Sequence, residues 1–182
     1  MDQDQQVDLI DTLGFDDTIR PGMEILSEIA DFFLQSKRCI AGVIRLDLIQ
    51  ERRLTGISRL NLNLLQSICE EQFYSYVTIV STMWNALPEG SPIIGTQQRE
   101  QAFKEGDNPG VWKDMLDKGS YYARCIGVDD STRVAISSLL SKHWAPPLML
   151  SLELRDPACA LEDTSAGLIS TAEASARKER LR

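Results

Sequence analysis

The chain has 182 residues and a mass of 20.4 kDa, which suits one domain with a sizeable core. Its 27 acidic and 19 basic residues give a formal charge of −8, and the pI is near 4.7. This charge argues against duplex nucleic acid or an anionic membrane surface as a partner.

The cysteines and the apolar runs indicate the compartment. Cysteine occurs at four positions, none of them in a Cys-x-x-Cys pair or near the single histidine, His143: Cys39, Cys69, Cys125 and Cys159. A zinc site is therefore not expected. No signal-peptide pattern opens the sequence, and no apolar run reaches the length of about 18 residues that a membrane helix needs. We expect a soluble, cytoplasmic protein with free thiols.

Apolar runs of strand length alternate along the chain with segments of helical periodicity. Strands are predicted at residues 7–11, 39–49, 76–83 and 120–127. Helices are predicted at residues 21–38, 56–69, 111–119 and 130–144, and in two further pieces after residue 148 with Pro157 between them. Residues 84–110 are punctuated by proline and glycine and are predicted to be a looser connection.

This alternation predicts an α/β fold of three layers, in which a mostly parallel sheet has helices on both faces. We assign residues 1–145 to the domain that contains the sheet and residues 146–182 to a helical C-terminal extension. Ligands of such folds bind beyond the carboxyl ends of the strands. Asp11 and Gly14 follow the first predicted strand, where a carboxylate can hold Mg²⁺ and a glycine can bring its N–H close to a phosphate.

Several segments resemble one protein family. Residues 11–18, DTLGFDDT, resemble the Asp-Thr-Pro-Gly-Phe-Asp-Asp-Thr box of P-loop GTPases, in the version found in a group of fungal G-domain proteins. Residues 80–85, VSTMWN, resemble the Thr-Thr-Met-Trp-Asp box of that group. Three more segments echo it in order: residues 52–65, 112–127 and 161–167. The resemblance implies a P-loop NTPase-like fold, with residues 1–145 as a partial G domain.

The resemblance also implies a nucleotide site. Asp11 would be the carboxylate on the Mg²⁺ side, Thr12 would belong to the same nucleotide-binding box, and Gly14 would offer its amide to the γ-phosphate. Residues 15–18 would form the switch loop. Four further residues would lie beside or behind the guanine base: Thr82, Asn85, Cys125 and Gly127. The implied cofactors are GTP and Mg²⁺.

The sequence departs from the family at three points. Leu13 replaces proline, and Asn85 replaces the aspartate whose two oxygens accept hydrogen bonds from guanine. These residues also contain no Gly-x-x-x-x-Gly-Lys-Ser/Thr phosphate-binding loop, and only ten residues precede Asp11. The chain thus resembles a G domain without its N-terminal third.

Other interpretations of these residues stay open. Asp11 could form a turn or cap a helix, and Trp84 could be a packed aromatic at a strand end. Asp16 and Asp17 could be solvated acids, and Arg52 and Arg53 either charge-stabilising fingers or part of a solvated loop. His143 is expected at the surface near a helix end, and the cysteines are expected to be buried apolar residues. No nucleophile-histidine arrangement is indicated.

Two functions follow from the sequence. The first is a GTP-binding protein of the P-loop GTPase family with weak or absent hydrolysis, since the missing loop removes upward of about 7 kcal/mol of phosphate contacts. The second is a non-catalytic, degenerate G domain that binds a protein partner or associates with itself through its incomplete sheet, or else a truncated gene product. We expect Asp11, Thr82 and Cys125 to meet at one sheet edge. Residues 7–11 could pair directly with residues 39–49, another chain could supply a strand between them, or the region could stay loose and prone to aggregate. We expect direct pairing in the isolated chain, and poor stability or self-association in solution.

Overall fold

A computed structural model gives the fold. It describes residues 7–15, 20–35, 40–50, 56–84, 93–105, 112–126, 130–142 and 145–180. Within these residues the sheet has three strands, β1 (Val43–Leu48), β2 (Val77–Thr82) and β3 (Tyr121–Arg124), in the order β1-β2-β3. Both pairs of neighbours are parallel. The prediction of an α/β fold with a parallel sheet is confirmed.

Seven α-helices are described around this sheet. Six of them fall in segments that were predicted to be helical: α1 (Gly22–Gln35), α2 (Gly56–Cys69), α4 (Lys113–Asp117), α5 (Asp130–Leu140), α6 (Met149–Glu153) and α7 (Ser165–Arg180). Short 3-10 helices span Glu71–Tyr76 and Leu161–Asp163. The six predicted α-helices lie where apolar residues recur at spacings of three and four, because that spacing places one apolar stripe toward the core.

The remaining helix, α3 (Ile93–Glu105), lies in the segment predicted to be a loose connection. That part of the prediction is wrong. The segment has few apolar residues and no apolar stripe, so periodicity could not reveal a helix. Thr96 and Glu100 are buried among residues 95–105, and Phe103 packs against Trp112 of the larger core with 4.9 Å between the ring centres, so polar and aromatic contacts together hold the helix.

Helices cover both faces of the sheet. On one face Val77 and Ile79 of β2 join the larger hydrophobic core with side chains of α1, α2, α4, α6 and α7. On the other face Val80 and Ala123 pack against Ala135 of α5. Alternate residues of a strand point to opposite faces, so the apolar run of β2 supplies both cores.

The C-terminal segments belong to the larger core. Leu148, Leu150 and Ala166 are buried in it, and α6 and α7 contact α1 and α2. Thr164 begins α7 as its N-cap, because its Oγ1 accepts a hydrogen bond of 3.0 Å from the backbone N–H of Gly167. The boundary proposed at residue 146 stays a prediction. In the described residues, no helix is both long and apolar enough to cross a membrane.

Residues 7–11 do not form the predicted strand. They are coil, and Leu9 remains 78% exposed. Their predicted pairing with residues 39–49 is therefore wrong, since β1 pairs with β2 alone among the described strands. The run also contains Asp8 and Asp11, and enclosing carboxylates in a sheet covered on both faces is costly.

Candidate functional site

The carboxyl ends of β2 and β3 lie side by side. Thr82 ends β2, Cys125 follows β3, and the backbone N–H of Cys125 donates to the carbonyl oxygen of Ser81 at 2.8 Å. Because both strands are parallel, their ends meet at the same edge of the sheet. The structure thus brings together two of the residues for which the resemblance implies contact with a guanine base.

Asp11, Thr12 and Gly14 are placed differently. All three are exposed and lie on coil, so the expectation that Asp11 ends a parallel strand is wrong. Phe15 connects this segment to the rest of the protein by packing against the larger core. Among the described residues, no group of three or more acidic, histidine or cysteine side chains could hold a metal ion. The Mg²⁺ that the resemblance implies stays a prediction, because Mg²⁺ beside a nucleotide takes most of its ligands from phosphate and water oxygens.

Several residues singled out from the sequence lie outside the described ranges. They are Asn85 and Gly127 of the implied base site, Asp16, Asp17, Arg52, Arg53, Cys39 and His143. Cys69 and Cys159 are free thiols, and Cys69 is fully buried at the end of α2. Burial raises the pKa of Cys69 to about 12, so this thiol is protonated and unreactive.

Trp84 folds back over the end of β2. Met83 adopts a positive φ of 62°, which turns the chain immediately after the strand. The indole Nε1–H of Trp84 donates to Ser81 Oγ at 2.9 Å, and the Arg124 guanidinium lies 4.6 Å from the centre of the indole ring. Such a distance permits a cation–π contact. Trp84 is thus a packed aromatic at the strand end.

A cluster of polar side chains fills the face of the sheet beside Trp84. We call it the Glu100 cluster; its members are Ser81, Trp84, Glu100, Lys104, Tyr122 and Arg124. Glu100 of α3 is at its centre, with a side chain only 3% exposed. Arg124 donates to both carboxylate oxygens of Glu100, with 2.7 Å for its Nε, and the Tyr122 hydroxyl donates at 2.5 Å. No pattern in the sequence had indicated this cluster.

Hydrogen bonds and burial set the protonation states of Glu100 and Tyr122 in the cluster. Burial alone would raise the pKa of Glu100, but the hydrogen bonds from Arg124 and Tyr122 outweigh it and the pKa lies below its usual value. Burial, and then the hydrogen bond to Glu100, raise the pKa of Tyr122. At neutral pH the cluster therefore holds an ionised carboxylate and a neutral phenol, which tie α3 to β2 and β3.

A second ion pair lies on the same face at β1. Arg45 Nε and Asp47 Oδ2 are 2.8 Å apart, and Trp112 Nε1–H donates to the same Asp47 oxygen at 2.7 Å. These two charged residues alternate with Ile44, Leu46 and Leu48 along the strand. Arg45 and Asp47 therefore point to one face of the sheet and the three apolar residues point to the other.

The outer side of β1 is open among the described residues. No described strand pairs with it there. Leu46 is 67% exposed and Leu48 is 49% exposed, although both belong to a parallel strand. Strands of parallel sheets are ordinarily buried on both faces, so these exposures are unusual. We call the outer backbone of β1 together with Ile44, Leu46 and Leu48 the β1 edge.

The alternation of VIRLDL indicates a strand with one charged and one apolar face, but it does not indicate that β1 lies at an edge of the described sheet. The signal for the Glu100 cluster was weaker, because a polar helix segment and a Tyr-x-Arg strand end have no fixed relation until the chain folds. Comparisons with known protein families, with curated proteins and with solved structures find no match to this chain.

Proposed function

We propose that this chain is a degenerate G-domain-like module that associates with protein through the β1 edge and does not hydrolyse GTP. The observation that carries the proposal is the exposure of Leu46 and Leu48 on a parallel strand. An unpaired edge offers a row of N–H and C=O groups to another strand. Adjacent exposed apolar side chains favour the same occupant, because their burial is favourable.

The resemblance to P-loop GTPases supports the location of this edge. In that family the phosphate-loop strand lies between the strand of the Asp-x-x-Gly box and the next strand, which corresponds here to β1. These 182 residues contain no phosphate-loop motif. The backbone amides and the lysine of that loop supply most of the donors that bind a phosphate group, and these donors are missing with it.

Amide hydrogen exchange tests the proposal directly. We expect the backbone amides of Ile44, Leu46 and Leu48 to exchange rapidly in dilute protein, while amides in the β1–β2 ladder are protected. Slow exchange of all three in a protein shown to be monomeric would mean that the chain covers its own edge. That result would overturn the proposal, whatever the partner.

Binding of a guanine nucleotide without hydrolysis is the second candidate. Its support is the placement of Thr82 and Cys125 at neighbouring strand ends. Asn85, an amide in place of aspartate, offers one donor and one acceptor to the base. Xanthine has a carbonyl where guanine has an amino group, so we expect the wild type to tolerate XTP and Asn85→Asp to shift preference toward GTP. Equal preference in both proteins would contradict a role for Asn85 in reading the base.

A further inference from the structure

We propose that the β1 edge pairs with the same edge of a second copy of this chain, antiparallel, about a two-fold axis at Leu46. The result is one continuous sheet across a homodimer. This inference rests on the proposed function, because it names the partner that the open edge accepts.

The backbone of β1 sets which groups are available. The N–H of Ile49 donates to the carbonyl oxygen of Thr82 at 3.2 Å, and the carbonyl oxygen of Asp47 accepts from Thr82 Oγ1 at 3.3 Å. Odd-numbered residues therefore point their backbone groups toward β2. Successive residues of a strand alternate in this respect, so Ile44, Leu46 and Leu48 point theirs outward.

An axis at Leu46 uses all three outward residues. Leu46 then lies opposite its own copy, and Ile44 lies opposite the partner subunit's Leu48. Each such pair is a hydrogen-bonded pair that exchanges two N–H···O bonds, which gives about six bonds between the copies. On the apolar face these pairs form one row of aliphatic side chains and cover the exposed parts of Leu46 and Leu48.

The opposite face provides charge complementarity. In the same register Arg45 lies opposite the partner subunit's Asp47, at a non-hydrogen-bonded position where side chains approach closely. The one Arg45–Asp47 ion pair within each strand would thus join its copy in the partner subunit to form an alternating set of four charges. Opposite charges at such positions stabilise a strand pair, and like charges destabilise it.

Other registers lose this match. Parallel pairing in register places Arg45 opposite Arg45 and Asp47 opposite Asp47. An antiparallel axis at Arg45 or at Asp47 also sets like charges against each other. A shift by one residue places Arg45 opposite Leu46 and mixes the charged and apolar faces. Of these registers, only the antiparallel one with its axis at Leu46 places apolar residues opposite apolar residues and opposite charges opposite each other.

Sedimentation of the full chain over a wide concentration range tests the inference. We expect a dimer that dissociates on dilution, since a single strand pair is smaller than a standard interface of about 1,600 Å². Leu46→Lys should weaken the dimer at least tenfold, because it buries two facing ammonium groups. Leu168→Lys is the matched control, since Leu168 on α7 is 59% exposed but lies outside the edge.

A second variant separates pairing from folding. Leu46→Pro removes an outward N–H and leaves the β1–β2 hydrogen bonds in place, so we expect a folded monomer with an unchanged circular dichroism spectrum. For the register, a mixture of Ile44→Cys and Leu48→Cys proteins should cross-link at these two positions by peptide mass spectrometry. Neither protein alone should cross-link at its substituted position.

Three outcomes would overturn the inference. They are a monomer at every concentration, a dimer that Leu46→Lys and Leu46→Pro leave intact, and a cross-link pattern of another register. A monomer whose outward amides exchange rapidly would refute the homodimer and leave the open edge for a different protein. The two proposals therefore fail separately.

Discussion

Arg124 donates two hydrogen bonds to the carboxylate of Glu100, one from Nε and one from Nη2, and so joins the end of β3 to the middle of α3. This ion pair is unequally exposed, at 38% for the Arg124 side chain and 3% for that of Glu100. When the pair is broken, water can solvate the exposed guanidinium charge of Arg124, but it cannot easily reach the buried carboxylate of Glu100. The two partners are therefore not equivalent in their effect on stability.

Arg124→Leu is expected to lower the free energy of unfolding by about 3 kcal/mol, because it leaves a buried carboxylate without its main donor. Glu100→Gln should cost less, about 1–2 kcal/mol, since the amide oxygen still accepts a hydrogen bond. Urea unfolding measures both. Arg133→Leu, at an exposed position on α5, is the control and should change little. A loss for Arg124→Leu no larger than that for Arg133→Leu would contradict a stabilising role for the pair.

Stability should depend on pH through Glu100. Its pKa in the folded protein lies below the ordinary value of 4.5, so the folded state binds its proton less readily than the unfolded state does. The stabilisation is present above pH 4.5 and is lost as the pH falls through the folded pKa. We expect Glu100→Gln to flatten the slope of unfolding free energy against pH below 4.5. Asp117→Asn, at an exposed carboxylate, is the comparison, and an equally large flattening there would refute the assignment.

Gly167 allows α7 to begin against the preceding 3-10 helix. A Cβ at this position would collide with the carbonyl oxygen of Leu161 and lie 2.9 Å from the Cα of Glu162. Both are backbone atoms, which cannot rotate away. We expect Gly167→Ala to lower stability by at least about 2 kcal/mol, although alanine favours a helix.

Gly22→Ala is the matched control for Gly167→Ala. Its Cβ would lie 3.2 Å from the Oγ of Ser170, which can move because it belongs to a side chain. Both substitutions gain similar helix propensity, so the difference between their melting temperatures isolates the collision. Equal melting temperatures would show that the backbone of residues 161–162 relaxes at little cost.

Trp84→Phe distinguishes a packed aromatic from a base-contacting one. The phenyl ring retains most of the packing but loses the hydrogen bond to Ser81, so we expect a loss of about 1 kcal/mol of stability. Any measurable GTP affinity should stay unchanged. A clear change in affinity with stability unaltered would favour contact of Trp84 with the nucleotide base.

The sequence was sufficient to predict a strand or helix whose own residues show a clear apolar run or apolar periodicity. β2 reads as an apolar run because both of its faces are buried, and α1 and α2 show apolar stripes that must face a core. Thr82 and Cys125 could be placed together for the same reason, since parallel strands present their ends at one edge.

Tertiary structure decided the rest. Residues 7–11 have strand-like composition, yet a strand needs a neighbour to pair with, and no local pattern tells whether one exists. The helix α3 lacks an apolar stripe, and Glu100 becomes its anchor only when β3 brings Arg124 and Tyr122 to it. The alternation of VIRLDL by itself predicts a strand with one charged and one apolar face. The position of β1 at an edge of the described sheet was decided by the tertiary structure, because an edge strand and a central strand differ in their neighbouring strands and not in their local sequence.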